Sequence, residues 1–267
     1  MNHSITYLFC LLFLSCTTSK INVVTALPKK LKEISAIETT NTSTILWTIE
    51  DSGNKNILYG LNTKGEIVKN ITLTGVKNTD WEDLTSDDQG NIYIGDFGNN
   101  NGKRKLLHIY KILNPDNTSS KTTPFTISFR LPKKYRTKDF EAFFLWNNNF
   151  YLFSKEDNTT NIFKIPNQLG EQKAMFIGNL NLEGKKTPVT SADISNHKKT
   201  ILLLNHDKFW SLTNFNEGDF SNSFIKKFNL EHTSQKEGIC FKTNNAVYIT
   251  DEKTNKKTGN IYEFNGL

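Results

Sequence analysis

Three glutamates recur in one local context: Glu82 in Asp80-Trp81-Glu82-Asp83-Leu84, Glu141 in Asp139-Phe140-Glu141-Ala142-Phe143, and Glu237 in Lys236-Glu237-Gly238-Ile239. Each opens a short strand-like run. A second set closes such runs: Asp51 in Asp51-Ser52-Gly53-Asn54, Asp96 in Asp96-Phe97-Gly98-Asn99, and Asp251 beside Glu252. Lys155 with Glu156, and His206 with Asp207, occupy the corresponding places elsewhere. Carboxylates brought together in this number repel, so either some hold protons or a cation neutralises them. Calcium suits the donors, since it takes roughly six to eight oxygens from Asp, Glu and Asn. Zinc suits them poorly, because no His or Cys cluster stands at ligand spacing. The metal candidates are therefore Glu82, Glu141 and Glu237. The wider ligand-binding set adds Asp51, Asp96, Asn99, Lys155, His206 and Asp251. In a hydrolase built on such a metal, His206 would be the general base and Lys155 would stabilise charge. The same glutamates equally fit a structural role, accepting backbone N–H bonds from a neighbouring repeat.

Positioning these residues falls to a repeat. Five aromatic-aliphatic runs stand out: Ile57-Leu58-Tyr59, Ile109 to Ile112, Ile162 to Ile165, Phe209 to Leu212, and Ile261 to Phe264. Ahead of each lies a second run (Ile45 to Ile49, Asn91 to Ile94, Phe150 to Phe153, Ile201 to Leu204, Ala246 to Ile249). Ahead of those comes a third (Ile34 to Thr39, Trp81 to Thr85, Phe140 to Leu145, Ala192 to Ser195, Glu237 to Phe241). Four units carry a fourth run: Glu66 to Leu73, Phe125 to Leu131, Ala174 to Leu180, and Ser223 to Leu230. Turn residues separate them and no amphipathic helix intervenes. Four short antiparallel strands per unit describe a propeller blade. The fifth unit stops after three strands, and Lys20 to Leu27 reads as the missing one. The expectation is an all-β, five-bladed β-propeller closed by its N-terminal strand, with a two-sheet sandwich as the alternative. In a blade, the start of the first strand and the end of the second meet at one channel mouth, which would gather the acids there.

Composition narrows the function classes. The chain has 267 residues, with 33 Lys and Arg scattered among 27 Asp and Glu for a net charge of +6, and this pattern argues against a nucleic-acid partner. Aromatic residues at 12% argue against disorder. Ile5 to Leu14 is an apolar run too short to span a bilayer, ending at Ser15-Cys16 and a polar stretch. This pattern resembles a bacterial lipoprotein signal, which implies residues 1–15 as signal, Cys16 as the lipidated first residue, and 16–19 as a linker. A single domain would then fill 20–267, at the cell envelope, held to the membrane by lipid on its periplasmic or outer side. With Cys10 and Cys16 in this segment, Cys240 remains alone, so no internal disulfide is expected. Nucleophile-elbow, P-loop, H-E-x-x-H and Rossmann signatures are all missing.

The motifs around Ser35, Asp51-Ser52-Gly53-Asn54, Asp80-Trp81-Glu82-Asp83-Leu84, Ile92 to Asn99 and Lys236-Glu237-Gly238-Ile239 resemble those of exported bacterial propellers, the SdiA-regulated and esterase-like phytase families. More distantly, the Glu-Gly-aliphatic strand start is similar to calcium-dependent lactonase and phosphotriesterase propellers. That resemblance implies a channel glutamate on calcium: Glu237, Glu82 or Glu141. Two functions follow as expectations: a binding module whose acidic mouth takes a small ligand, a cation or an envelope protein; and, as the alternative, a calcium-dependent hydrolase of a lactone or phosphoester.

Overall fold

The computed structural model of the chain describes residues 21–186, 188–254 and 258–267, so residues 1–20, with the signal, Cys16 and the linker, lie outside the described residues. The described strands form five sheets, and each is one blade of a ring. The inner strands are Ile34–Glu38, Trp81–Ser86, Phe140–Trp146, Ser191–Ile194 and Lys236–Thr243. Each packs against the next, and the fifth packs against the first. The expected five-bladed propeller is the architecture found. Within each blade the second, third and outer strands follow antiparallel, so the chain moves steadily outward before starting the next blade.

The fifth blade is completed as expected. Its last strand by sequence, Asn260–Asn265, pairs antiparallel with the N-terminal Asn22–Ala26, Val23 opposite Tyr262. Joining the two ends of the described chain in one sheet removes the open seam of the ring.

Burial explains why the strands read as apolar runs and not as simple alternation. Inner and second strands lie between two blades, so both of their faces are covered; Leu46–Glu50 and Ile92–Asp96 are buried throughout. Alternation appears farther out, in part in the third strand Thr159–Pro166 and in the outer strand Ile67–Leu73. The core is correspondingly split into wedges between adjacent blades. Trp47 and Trp81 fill the wedge between blades 1 and 2, Phe143 and Phe150 the next, and Trp210 with Phe144 the third.

Two short strands were not evident in the sequence. Lys121–Thr122 adds parallel to the outer strand of blade 1, and Gly170–Lys173 adds parallel to that of blade 2. Each comes from a loop of the following blade and covers an otherwise open edge. They are too short and polar to show a period.

Gly238 marks a close approach between blades 5 and 1. A Cβ there would lie 2.6 Å from the Ile37 nitrogen and 2.7 Å from the Ala36 carbonyl carbon, in the inner strand of blade 1. Gly238→Ala should therefore destabilise the fold by about 1–3 kcal/mol through overpacking, read as a lower denaturation midpoint. An unchanged midpoint would mean that blades 5 and 1 do not approach this closely.

Candidate cation site at the channel mouth

A strand irregularity repeated between blades aims the acidic side chains. The pairing of inner and second strands slips between Ile34 and Ala36, Trp81 and Asp83, Phe140 and Ala142, and Lys236 and Gly238. The residues left out of register are Ser35, Glu82, Glu141 and Glu237. A bulge turns a side chain away from the pleat. The three glutamates thus share a structural position, as their sequence context implied.

They do not share an environment. Glu141 pairs through Oε1 with the Lys155 ammonium, and its Oε2 is buried without a hydrogen-bond partner. Glu237 lies 3.3 Å, Oε1 to Nε2, from His206. Behind it Lys236, buried, donates to the carbonyls of His206 and His232 and fixes that loop. Glu82 has neither kind of partner. It is 6% exposed, and no donor among the described residues reaches its carboxylate. Its neighbours are Asp51 and Asp80, and one oxygen from each of the three carboxylates lies within 4.8 Å of the others.

Protonation follows from this crowding. Burial pushes Glu82 well above the usual carboxylate range, and Asp51, Asp80 and Asp139 push it further. Burial, then Asp51, raises Asp80 to about 6. Asp51 is raised by burial, by Glu237 and by Glu33. On the neighbouring blade 5, Glu252 is driven to about 8, by burial first and then Glu237 and Asp51. Gly98 makes room for the cluster: a Cβ there would stand 2.1 Å from Glu82 Oε1 and 2.5 Å from the Asp80 carboxyl. In the first D-x-G-N turn Gly53 does take the expected positive φ, 79°. In the second, glycine is needed for space.

Other expected site residues are spent elsewhere. Asp96 is fully buried, 2.7 Å from Arg104 Nη2, and accepts bonds from the Tyr110 hydroxyl and the Asp80 N–H. Asn99 donates to the Arg136 and Lys138 carbonyls and accepts from the Arg104 N–H. Asp251 accepts from the Tyr262 hydroxyl at 2.7 Å and from the Asn260 N–H. Glu50 makes the same clasp with Tyr59. Strand pairing makes Glu50, not Asp51, the counterpart of Asp96 and Asp251, since these three sit opposite Ile34, Trp81 and Lys236. Asp51 lies one residue on, and so reaches the mouth.

Blades are latched by different residues from those expected. Asp83 accepts from the N–H groups of Leu84, Phe143 and Ala192 and from the Ser191 hydroxyl, tying blade 2 to blades 3 and 4. Asp193 accepts from Phe241 N–H at 2.7 Å, and Ser191 Oγ from Ile239 N–H, tying blade 4 to blade 5. Ser35 donates to the Trp81 carbonyl, tying blade 1 to blade 2. Cys240 is a free, buried thiol, pushed up by burial and by Glu38, which suits an inert core residue.

Comparison with known proteins decides the family. The SdiA-regulated family profile matches residues 15–254. The chain belongs to the SdiA-regulated family. No functionally curated protein matches it in sequence. Solved structures similar to this SdiA-regulated propeller are distant in sequence. The PQQ-bound aldose sugar dehydrogenase of Streptomyces coelicolor superposes with a TM-score of 0.56 at 7% identity, covering 92% of this chain and 98% of that one. A gluconolactonase from Xanthomonas campestris gives 0.51 at 10% identity, covering 88% and 72%. The β-propeller domain of Cps50 (Swd1) from Myceliophteria thermophila gives 0.52 at 8% identity, covering 91% and 99%. At such identities these likenesses speak for the propeller fold alone.

Proposed function

We propose that this SdiA-regulated propeller is an envelope-anchored binding module whose mouth takes a divalent cation, calcium by preference, at Asp51, Asp80 and Glu82, and through it a small ligand. The carrying observation is Glu82: a carboxylate at 6% exposure, without a hydrogen-bond donor among the described residues, facing two more carboxylates. An unpaired charge so buried is costly, and a hard cation is the partner that all-oxygen donors suit. Glu141 and Glu237, each with its own basic partner, then line the ligand side of the mouth. The anchor is lipid on Cys16. Titration calorimetry with calcium chloride tests the site: one saturable site per chain is expected, with magnesium weaker. Absence of heat and of any competition with a calcium dye would end this reading.

The second reading is hydrolysis, favoured by one contact. Glu237 Oε1 lies 3.3 Å from His206 Nε2 without a hydrogen bond between them, close enough for the carboxylate to orient the imidazole for proton transfer once a substrate is bound. Lactones and phosphoesters are the substrates to assay. Turnover lost both on chelation and in His206→Asn would establish the hydrolase, and absence of turnover with calcium bound would leave the binding module.

A further inference from the structure

The two ends of the ring differ in a way that the cation site does not explain. Inner strands start at the acidic mouth, so the turns from inner to second strand and from third to outer strand lie at the far end. Isolated exposed apolar side chains are ordinary on a protein surface. Their distribution here is not even. Leu113 and Leu169 stand in far-end loops that follow third strands. Phe125 and Phe224 are the first residues of the outer strands of blades 2 and 4, and Val68 is the second of that of blade 1. Phe224 is 66% exposed, Leu169 59% and Val68 54%. Met175 likewise opens the outer strand of blade 3, whereas Val23 and Val24 sit about halfway along that of blade 5. Among the described residues, the loops around the mouth expose no large apolar side chain and are rich in lysines and carboxylates.

The chain enters the fold from the same far side. Asn260–Asn265 runs from the mouth toward the far end, and the N-terminal strand pairs antiparallel to it, Asn22 opposite Glu263 and Ala26 opposite Asn260. Cys16 precedes Ile21 by five residues, a reach of about 17 Å when extended. A lipid there holds the far half of blade 5 beside the bilayer.

We propose that the far end of the propeller rests on the lipid surface through this apolar rim, with Leu113, Phe125, Leu169 and Phe224 in the headgroup layer, and that the acidic mouth faces away from the membrane. The inference rests on the lipid-anchor reading and adds an orientation to it. Apolar rim residues gain by leaving water at the interface, whereas the charged mouth would lose hydration there. The mouth is thereby left open to ligands arriving from solution.

The test uses the mature full chain on vesicles of phosphatidylethanolamine and phosphatidylglycerol that carry a headgroup quencher. Single-cysteine labels go on the rim (Leu113→Cys, Phe224→Cys) and near the mouth (Lys55→Cys, Lys134→Cys); Cys240 is buried and does not compete. Rim labels should be quenched several-fold more than mouth labels. In the background of F125S and L169S, both surface changes, that contrast should shrink while the chain stays on the vesicles. Equal quenching at both ends, or stronger quenching at the mouth, overturns the orientation. The mass of the mature N-terminus separates the two ideas. Lipid present without contrast removes the orientation and keeps the anchor. No lipid and no vesicle binding removes both, and rim quenching without lipid supports the surface on its own.

Discussion

Asp83→Asn should unfold at a much lower denaturant concentration than the native chain, with a loss of about 3 kcal/mol or more. Asp83 accepts four hydrogen bonds, from three backbone N–H groups and one hydroxyl belonging to three blades. Asparagine offers one acceptor oxygen and brings two donors of its own. Phe143 and Ala192 N–H share one carboxylate oxygen and Leu84 N–H uses the other, so either orientation of the amide turns its NH2 on a buried N–H, that of Leu84 or those of Phe143 and Ala192, and each unsatisfied buried group costs about 1–3 kcal/mol. Against a typical total of about 5–15 kcal/mol the loss is large. Equilibrium unfolding measures it. A change under about 1 kcal/mol would show that the inner ring does not depend on this carboxylate.

Glu82→Gln, at the adjacent residue, should behave in the opposite way. Glu82 latches nothing, so removing its charge relieves repulsion with Asp51 and Asp80, and the calcium-free melting temperature should hold or rise. The native chain at a hundredfold excess of calcium over Kd should gain about 2.7 kcal/mol, or roughly 5–10 °C in a domain of this size. The variant should lose nearly all of that gain. The pH dependence has a definite sign. Asp80 and Glu252 are raised on folding, to about 6 and about 8, so their contribution is fully present below the ordinary carboxylate range and is lost as pH rises through those values. Calcium-free protein should therefore melt lower at pH 8 than at pH 5, and calcium should add most at the higher pH. A melting temperature indifferent to pH without calcium, or raised equally by calcium in Glu82→Gln, would contradict the site.

The blade repeat was legible because buried strands leave unbroken aromatic-aliphatic runs between turn residues, and because three blades begin their inner strands with the same acid. Glu82, Glu141 and Glu237 do sit at equivalent bulges. What separates them is the partner each meets, and Lys155, His206 and Asp51 arrive from other strand ends that a local motif does not register. The two D-x-G-N turns illustrate the limit. Their likeness equates Asp51 with Asp96, yet pairing places them one residue apart, and one residue in a strand changes the face a side chain takes. Asp96 turns to Arg104 and Tyr110, while Asp51 turns to the mouth. Asp80, two residues ahead of Glu82 in the most visible motif, was the missing member of the cluster. Asp83 stayed hidden for a different reason: three of its four partners are backbone N–H groups, two of them from other blades, and these leave no trace in residue type.

A cation among Asp51, Asp80 and Glu82 should be visible in a crystal of the calcium-loaded protein, with anomalous scattering collected to locate the ion. An anomalous peak bonded to carboxylate oxygens of all three residues, at about 2.3–2.6 Å, is the result expected. A mouth in which the ion lies instead between Glu141 and Glu237, or in which Glu82 binds only water at saturating calcium, would contradict it.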